Sequence, residues 1–228
     1  MQRNKSLLIL LVALFSTLLT PGFCLRSEVT PCLIRWYAGA TLKNSATGVS
    51  SVISVCDQNV EIGFCAQFLI VVNVAFDVEW LCVGWVEWKG NVREFYVDWY
   101  IGNVYGQQFW TEQPQLCCSY YFSITQVRGT TFQTKIVTDK AEWVIQKTFT
   151  SLGTVYFQAK GESPFPSNVL KGNFMYLCYY DGAKWNMGWN MELFWDYPYG
   201  ARKKNPAWVQ IYRMNDNHIG TGTICKRI

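Results

Sequence analysis

The chain has 228 residues, half of them hydrophobic and 17% aromatic, with nine cysteines and one histidine. A formal net charge of +4 without a basic stripe along the chain excludes nucleic acid as the main partner. A lone histidine and no Cys-x-x-Cys pair exclude the common zinc sites, and the length suits one sizeable β domain.

The first residues carry Arg3 and Lys5, then an apolar run from Leu7 to Leu19, then Pro21-Gly22-Phe23-Cys24. That order predicts a secretory signal peptide over residues 1–24. The run is short for a bilayer span, which needs about 20 residues. The sequence therefore predicts a secreted, extracellular protein. Losing Arg3 and Lys5 lowers the formal charge from +4 to +2. Cleavage after Cys24 leaves Cys32, Cys56, Cys65, Cys82, Cys117, Cys118, Cys178 and Cys225. An even set in an oxidising compartment predicts a disulfide-stabilised domain with the pairing left open. Cleavage after Gly22 instead leaves an odd thiol.

Residues 25–59 are poor in aromatics and include a Ser/Thr/Gly-rich stretch from Asn44 to Ser54. They read as a Cys-containing N-terminal extension, with the main domain over residues 60–228; a start near residue 92 is the alternative. Strand-like runs follow at Phe68 to Val78, Trp80 to Trp88, Phe95 to Ile101, Tyr120 to Thr125, Thr131 to Val137 and Glu142 to Phe149. Further runs cover Thr154 to Ala159, Phe174 to Tyr180, Met191 to Trp195 and Ala207 to Tyr212. In Phe95 to Ile101 the odd positions make one apolar face, the period of a half-buried strand. No sustained helical period appears beyond the leader. The predicted class is all-β, an antiparallel β-sandwich, with Pro164 to Gly172 as a loop between strands.

Catalytic signals are sparse. There is no Gly-x-Ser-x-Gly elbow or phosphate-cradling glycine loop, and His218 lies in a polar turn. Glu162 ends one strand-like run, and Cys82 and Glu87 lie on another. Nothing in their linear spacing shows convergence, so the acids read as exposed turn residues. The expectation is no catalytic residue, no metal and no cofactor.

The loop Phe194-Trp195-Asp196-Tyr197-Pro198-Tyr199-Gly200, running into Ala201-Arg202-Lys203-Lys204-Asn205-Pro206, joins aromatic faces, a carboxylate, rigid prolines and three adjacent cations. Such a mixture suits a water-to-lipid boundary. Trp195, Tyr197 and Trp208 are also the kind of residue that fills a sandwich core. Tyr199, beside Pro198 and Gly200, is expected to face outward with Arg202, Lys203 and Lys204.

Six blocks in order carry a family resemblance. They are Gln158-Ala159-Lys160-Gly161-Glu162-Ser163, Gly172-Asn173-Phe174, Asp181-Gly182-Ala183-Lys184, Phe194 to Asn205, Trp208-Val209-Gln210-Ile211-Tyr212 and Gly220-Thr221-Gly222-Thr223-Ile224. Together they resemble the aegerolysin family, and the Phe194 loop is more distantly similar to that of actinoporins. The resemblance implies a lipid-binding β-sandwich that recognises sphingolipid or anionic phospholipid headgroups as a peripheral protein on a target membrane. It also implies a cytolytic, pore-forming or hemolytic system in which a perforin-like protein is the partner. On it, Trp195, Asp196, Pro198, Tyr199, Arg202, Lys203 and Lys204 are the lipid-binding residues. Tyr197 and Tyr199 stand where that family has cysteine and tryptophan. Two alternatives remain: a secreted carbohydrate- or protein-binding module using the same aromatics, and a carboxyl-dependent secreted hydrolase using Glu162.

Overall fold

The computed structural model describes residues 35–214. The predicted leader, Cys32, His218, the Gly220 block and Cys225 lie outside the described residues. Fifteen strands follow in chain order: β1 (Trp36–Leu42), β2 (Gly48–Ser54), β3 (Phe64–Val74), β4 (Val78–Trp88), β5 (Val92–Ile101), β6 (Val104–Phe109), β7 (Ser119–Arg128) and β8 (Thr131–Val137). They continue as β9 (Glu142–Thr148), β10 (Thr154–Ser163), β11 (Gly172–Tyr180), β12 (Trp185–Met187), β13 (Met191–Trp195), β14 (Tyr199–Asn205) and β15 (Trp208–Arg213).

The strands build two antiparallel sheets. One has the order β13-β1-β10-β3-β4-β5-β6, the other β14-β15-β11-β2-β7-β8-β9, with β12 paired to β11. This is the all-β sandwich that the alternation predicts. Residues 36–54 are not an extension, however. β1 lies between β10 and β13 in one sheet and β2 between β11 and β7 in the other. Their small residues hid them: Gly39 packs with an ideal Cβ position 2.2 Å from the Ala159 carbonyl, so the close approach requires glycine.

Local turn chemistry fixes the register. The β5–β6 hairpin closes through Gly102 and Asn103, both at positive φ, +58° and +61°. That left-handed pair matches the twist of the flanking strands. Among the described residues no disulfide is formed, and Cys56, Cys65, Cys82, Cys117, Cys118 and Cys178 are free thiols. Apolar burial holds the sheets together, with Leu69, Val83, Trp85, Phe95, Phe122, Phe174 and Val209 at zero exposure between them.

Period two makes the sheets two-faced. In β3, Cys65, Leu69 and Val71 join the inter-sheet core, while Ala66, Phe68 and Ile70 join a separate cluster with Cys82, Val86 and Tyr96 on the opposite, outer face. Long side chains fold over that outer face and bury much of it. The candidate site lies there.

Candidate active site

Register places the site residues. Along the outer face Glu162 of β10 is opposite Ala66, Lys160 is opposite Phe68, Phe68 is opposite Gly84, and Gly84 is opposite Tyr96. One row further, Cys82 is opposite Asp98, and Asp98 is opposite Gln107 of the edge strand β6. Acids that are far apart in the chain thus share one surface.

Glu162 is not an exposed turn residue, as its sequence position suggested. It lies within β10 and is only 7% exposed. Arg35 Nη1 donates to its Oε1 at 2.6 Å, and its Oε2 takes no hydrogen bond from any described residue. Lys160 stands beside it with Nζ 3.4 Å from the centre of the Tyr37 ring and 5.8 Å from that of Phe68. Burial lowers the ammonium pKa of Lys160, against the opposing pull of the Glu162 charge.

Asp98 is the second carboxyl group. Burial raises its pKa from 3.8 to about 7; the hydrogen bond from Tyr105 opposes the rise, and the Glu162 charge adds to it. Tyr105 donates its hydroxyl to Asp98 Oδ2 at 3.1 Å, Gln107 Nε2 donates to that same hydroxyl oxygen, and Oδ1 is buried without a partner. The cluster therefore holds two carboxyl groups in different settings: Glu162 paired with Arg35, and Asp98 pushed up to about 7 by burial. Groups set apart in this way are what acid and base catalysis require.

Cys82 belongs to the same surface. Burial pushes its thiol well above the ordinary range, and the Asp98 and Glu162 charges push it further. It therefore stays protonated at neutral pH, and a thiolate nucleophile is excluded on electrostatic grounds. Glu87, which shares a strand with Cys82, points the other way. It sits between the sheets at zero exposure, paired with Arg93 at 2.8 Å, and takes no part in the outer cluster.

The residues expected to bind lipid scatter. Trp195 and Tyr197 are exposed, at 50% and 66%, and do not fill the core. Tyr199 is the reverse: it is fully buried, and its hydroxyl donates to the carbonyls of Phe165 and Asn168 at 2.9 and 3.0 Å. The expectation that Tyr199 faces outward is corrected, because β14 is a strand rather than a loop and its first residue points into the sandwich. Pro198 is buried behind a cis Tyr197–Pro198 peptide. Asp196 is tied into the fold, accepting from the Tyr37 backbone N–H at 3.0 Å. Arg202 donates to Gln210 at 2.7 Å, while Lys203 and Lys204 are exposed on the edge strand of their sheet. Lysines there discourage edge-to-edge pairing without any ligand.

No family model matches the chain, and no curated protein matches it in sequence. Among solved structures, scytalido-glutamic peptidase bound to a peptide-based transition state analog matches at a TM-score of 0.57 and 11% identity, over 78% of this chain and 98% of that one. The same peptidase with a transition state analog inhibitor gives 0.58 and 10% at the same coverage. SCP-B, a member of the eqolisin family of peptidases in complex with the tripeptide Ala-Ile-His, gives 0.55 and 10%, again over 78% and 98%. These likenesses concern the fold. They run against the expectation of a protein without catalysis, because the fold found is that of these glutamic peptidases, shared over 98% of their chains. None bears on the aegerolysin resemblance.

The outer-face site was missed because its residues come from β3, β4, β5, β6 and β10 and from Arg35, which are distant in sequence. One signal was legible: an aspartate, Asp98, in the middle of the apolar strand Phe95 to Ile101.

Proposed function

We propose that the chain is a carboxyl-dependent hydrolase acting on peptide bonds, with the outer face of the β13-to-β6 sheet as its active surface. The observation that carries this reading is the placement of Glu162 and Asp98 on one sheet face, Glu162 ion-paired to Arg35 and Asp98 held by the Tyr105 hydroxyl. The fold shared with glutamic peptidases supports it.

In this reading Glu162 Oε2 accepts a proton from the attacking water as the new C–O bond forms. Asp98 delivers its proton to the amine nitrogen as the C–N bond breaks. Arg35 and Lys160 offset negative charge on the Glu162 side. The Tyr105 hydroxyl holds Asp98 through Oδ2, and the buried Oδ1 is left without a hydrogen-bond partner. The enzyme acts outside the cell, following the leader read in residues 1–24. The experiment is digestion of a mixed peptide library from pH 2 to pH 8, with products mapped by mass spectrometry. Cleavage at defined bonds that fades as pH rises through 7 is the expected result; an uncleaved library at every pH overturns the proposal.

A further inference from the structure

The described residues include six free thiols, and the leader expected over residues 1–24 would take them to an oxidising compartment. Three are placed so that none meets another described cysteine. Cys65 and Cys82 lie on opposite faces of one sheet, and Cys178 sits across from Ser50 in the other. Three remain at one corner, where the end of β2 meets the segment leading into β7: Cys56, Cys117 and Cys118.

There Val55 bonds to two successive residues at once. Its N–H donates to the Cys118 carbonyl at 2.8 Å, and its carbonyl accepts from the Cys117 N–H at 2.9 Å. This is a β-bulge, and Cys117 holds the left-handed backbone at φ +64° that a glycine ordinarily fills. A cysteine there goes against backbone preference. Because the Val55 carbonyl belongs to the peptide joining Val55 to Cys56, the Cys117 bond to it makes the Cys56 and Cys117 backbones close neighbours, near enough for charge on Cys117 to act on the Cys56 thiol. Cys117 is exposed and open to an oxidant. Cys118 instead packs against the core and interacts with the Tyr120 hydroxyl.

We propose that Cys56 and Cys117 are a disulfide-forming site. An external disulfide, such as oxidised glutathione or an oxidoreductase, is the oxidant. The Cys117 thiolate attacks one of its sulfurs, forming a mixed disulfide and releasing one thiolate. The Cys56 thiol, which burial pushes up to about 11, gives its proton to water as its sulfur attacks the Cys117 sulfur and releases the second thiolate. That step speeds up as pH rises. Two protein thiols are oxidised, and one external disulfide is reduced to two thiols. The bridge encloses β3, β4, β5 and β6, the strands that carry Cys82, Asp98, Tyr105 and Gln107. It thus staples most of the outer face without touching it, and it does not depend on the peptidase reading.

The test is incubation of the folded chain with a glutathione redox couple, alkylation under denaturing conditions and peptide mapping. A linked Cys56–Cys117 peptide is expected, with Cys65, Cys82 and Cys178 still alkylated and with the link retained in Cys118→Ser. Cys56 recovered alkylated, glutathione retained on Cys117, or Cys56 linked to Cys118, Cys32 or Cys225 would each overturn the proposal. These outcomes are read on the parent protein, so they stand even where Cys117→Ser fails to fold.

Discussion

Arg35 Nη1 and Glu162 Oε1 lie 2.6 Å apart although 127 positions separate them in the chain. The pair is largely withdrawn from water, with side chains 27% and 9% exposed, so neither charge is fully screened. Removing one partner of such a pair leaves the other poorly solvated. Arg35→Met is expected to cost about 1–3 kcal/mol, less than for a fully buried pair. Arg35→Met with Glu162→Gln should recover part of that loss. A double-mutant cycle by urea unfolding measures the coupling.

Asp98 gives a pH signature with a definite sign. Its pKa rises from 3.8 to about 7 on folding, chiefly through burial. Between these values folded Asp98 binds more protons than unfolded Asp98, so its contribution to stability is fully present below about pH 4 and is lost as pH rises toward about 7. The full shift corresponds to at most about 4 kcal/mol. Unfolding free energies across this range should decline for the parent, and Asp98→Asn should remove that decline while keeping an acceptor for the Tyr105 hydroxyl.

Tyr199 should behave as a core residue. Tyr199→Phe removes the donor to the Phe165 and Asn168 carbonyls and is expected to cost about 1–3 kcal/mol. Thermal denaturation reads this directly. Lipid binding, measured by liposome sedimentation, should not change through this residue, because its ring has no exposed surface.

Gly84 marks a close approach at the floor of the site. A Cβ there would lie 2.0 Å from the Gln67 carbonyl oxygen and 2.6 Å from Phe68 Cβ. Gly84→Ala must therefore separate β3 from β4 or displace Phe68. A loss of about 1–3 kcal/mol is expected from the overpacking, with peptide cleavage falling alongside; calorimetry and the cleavage assay check the two effects.

Much of the fold was legible because alternation and turn residues report on the strand directly. Thr131 to Val137 and Met191 to Trp195 coincide with β8 and β13, and Pro164 to Gly172 spans the β10–β11 connection. Strands built from small or charged residues were not legible. β1 and β2 are rich in Gly, Ala and Ser, and β14 carries Arg202, Lys203 and Lys204 on a sheet edge, where charge substitutes for the apolar pattern. The site was less legible than the fold for a different reason. Glu162 and Asp98 are brought to one sheet face only by the pairing order β10-β3-β4-β5, which no local spacing encodes. In the Phe194 loop the composition was conspicuous but orientation was not legible: Tyr199 lies in the core, while Lys203 and Lys204 are exposed on the edge strand.

The most direct test compares peptide cleavage by the parent and by Glu162→Gln under acidic conditions, with circular dichroism confirming that both are folded. The account predicts defined cleavage by the parent and a loss of at least about 100-fold in kcat/KM for the variant, the contribution of one general acid or base. Equal activity in the two proteins, or none in the parent at any pH, would contradict it.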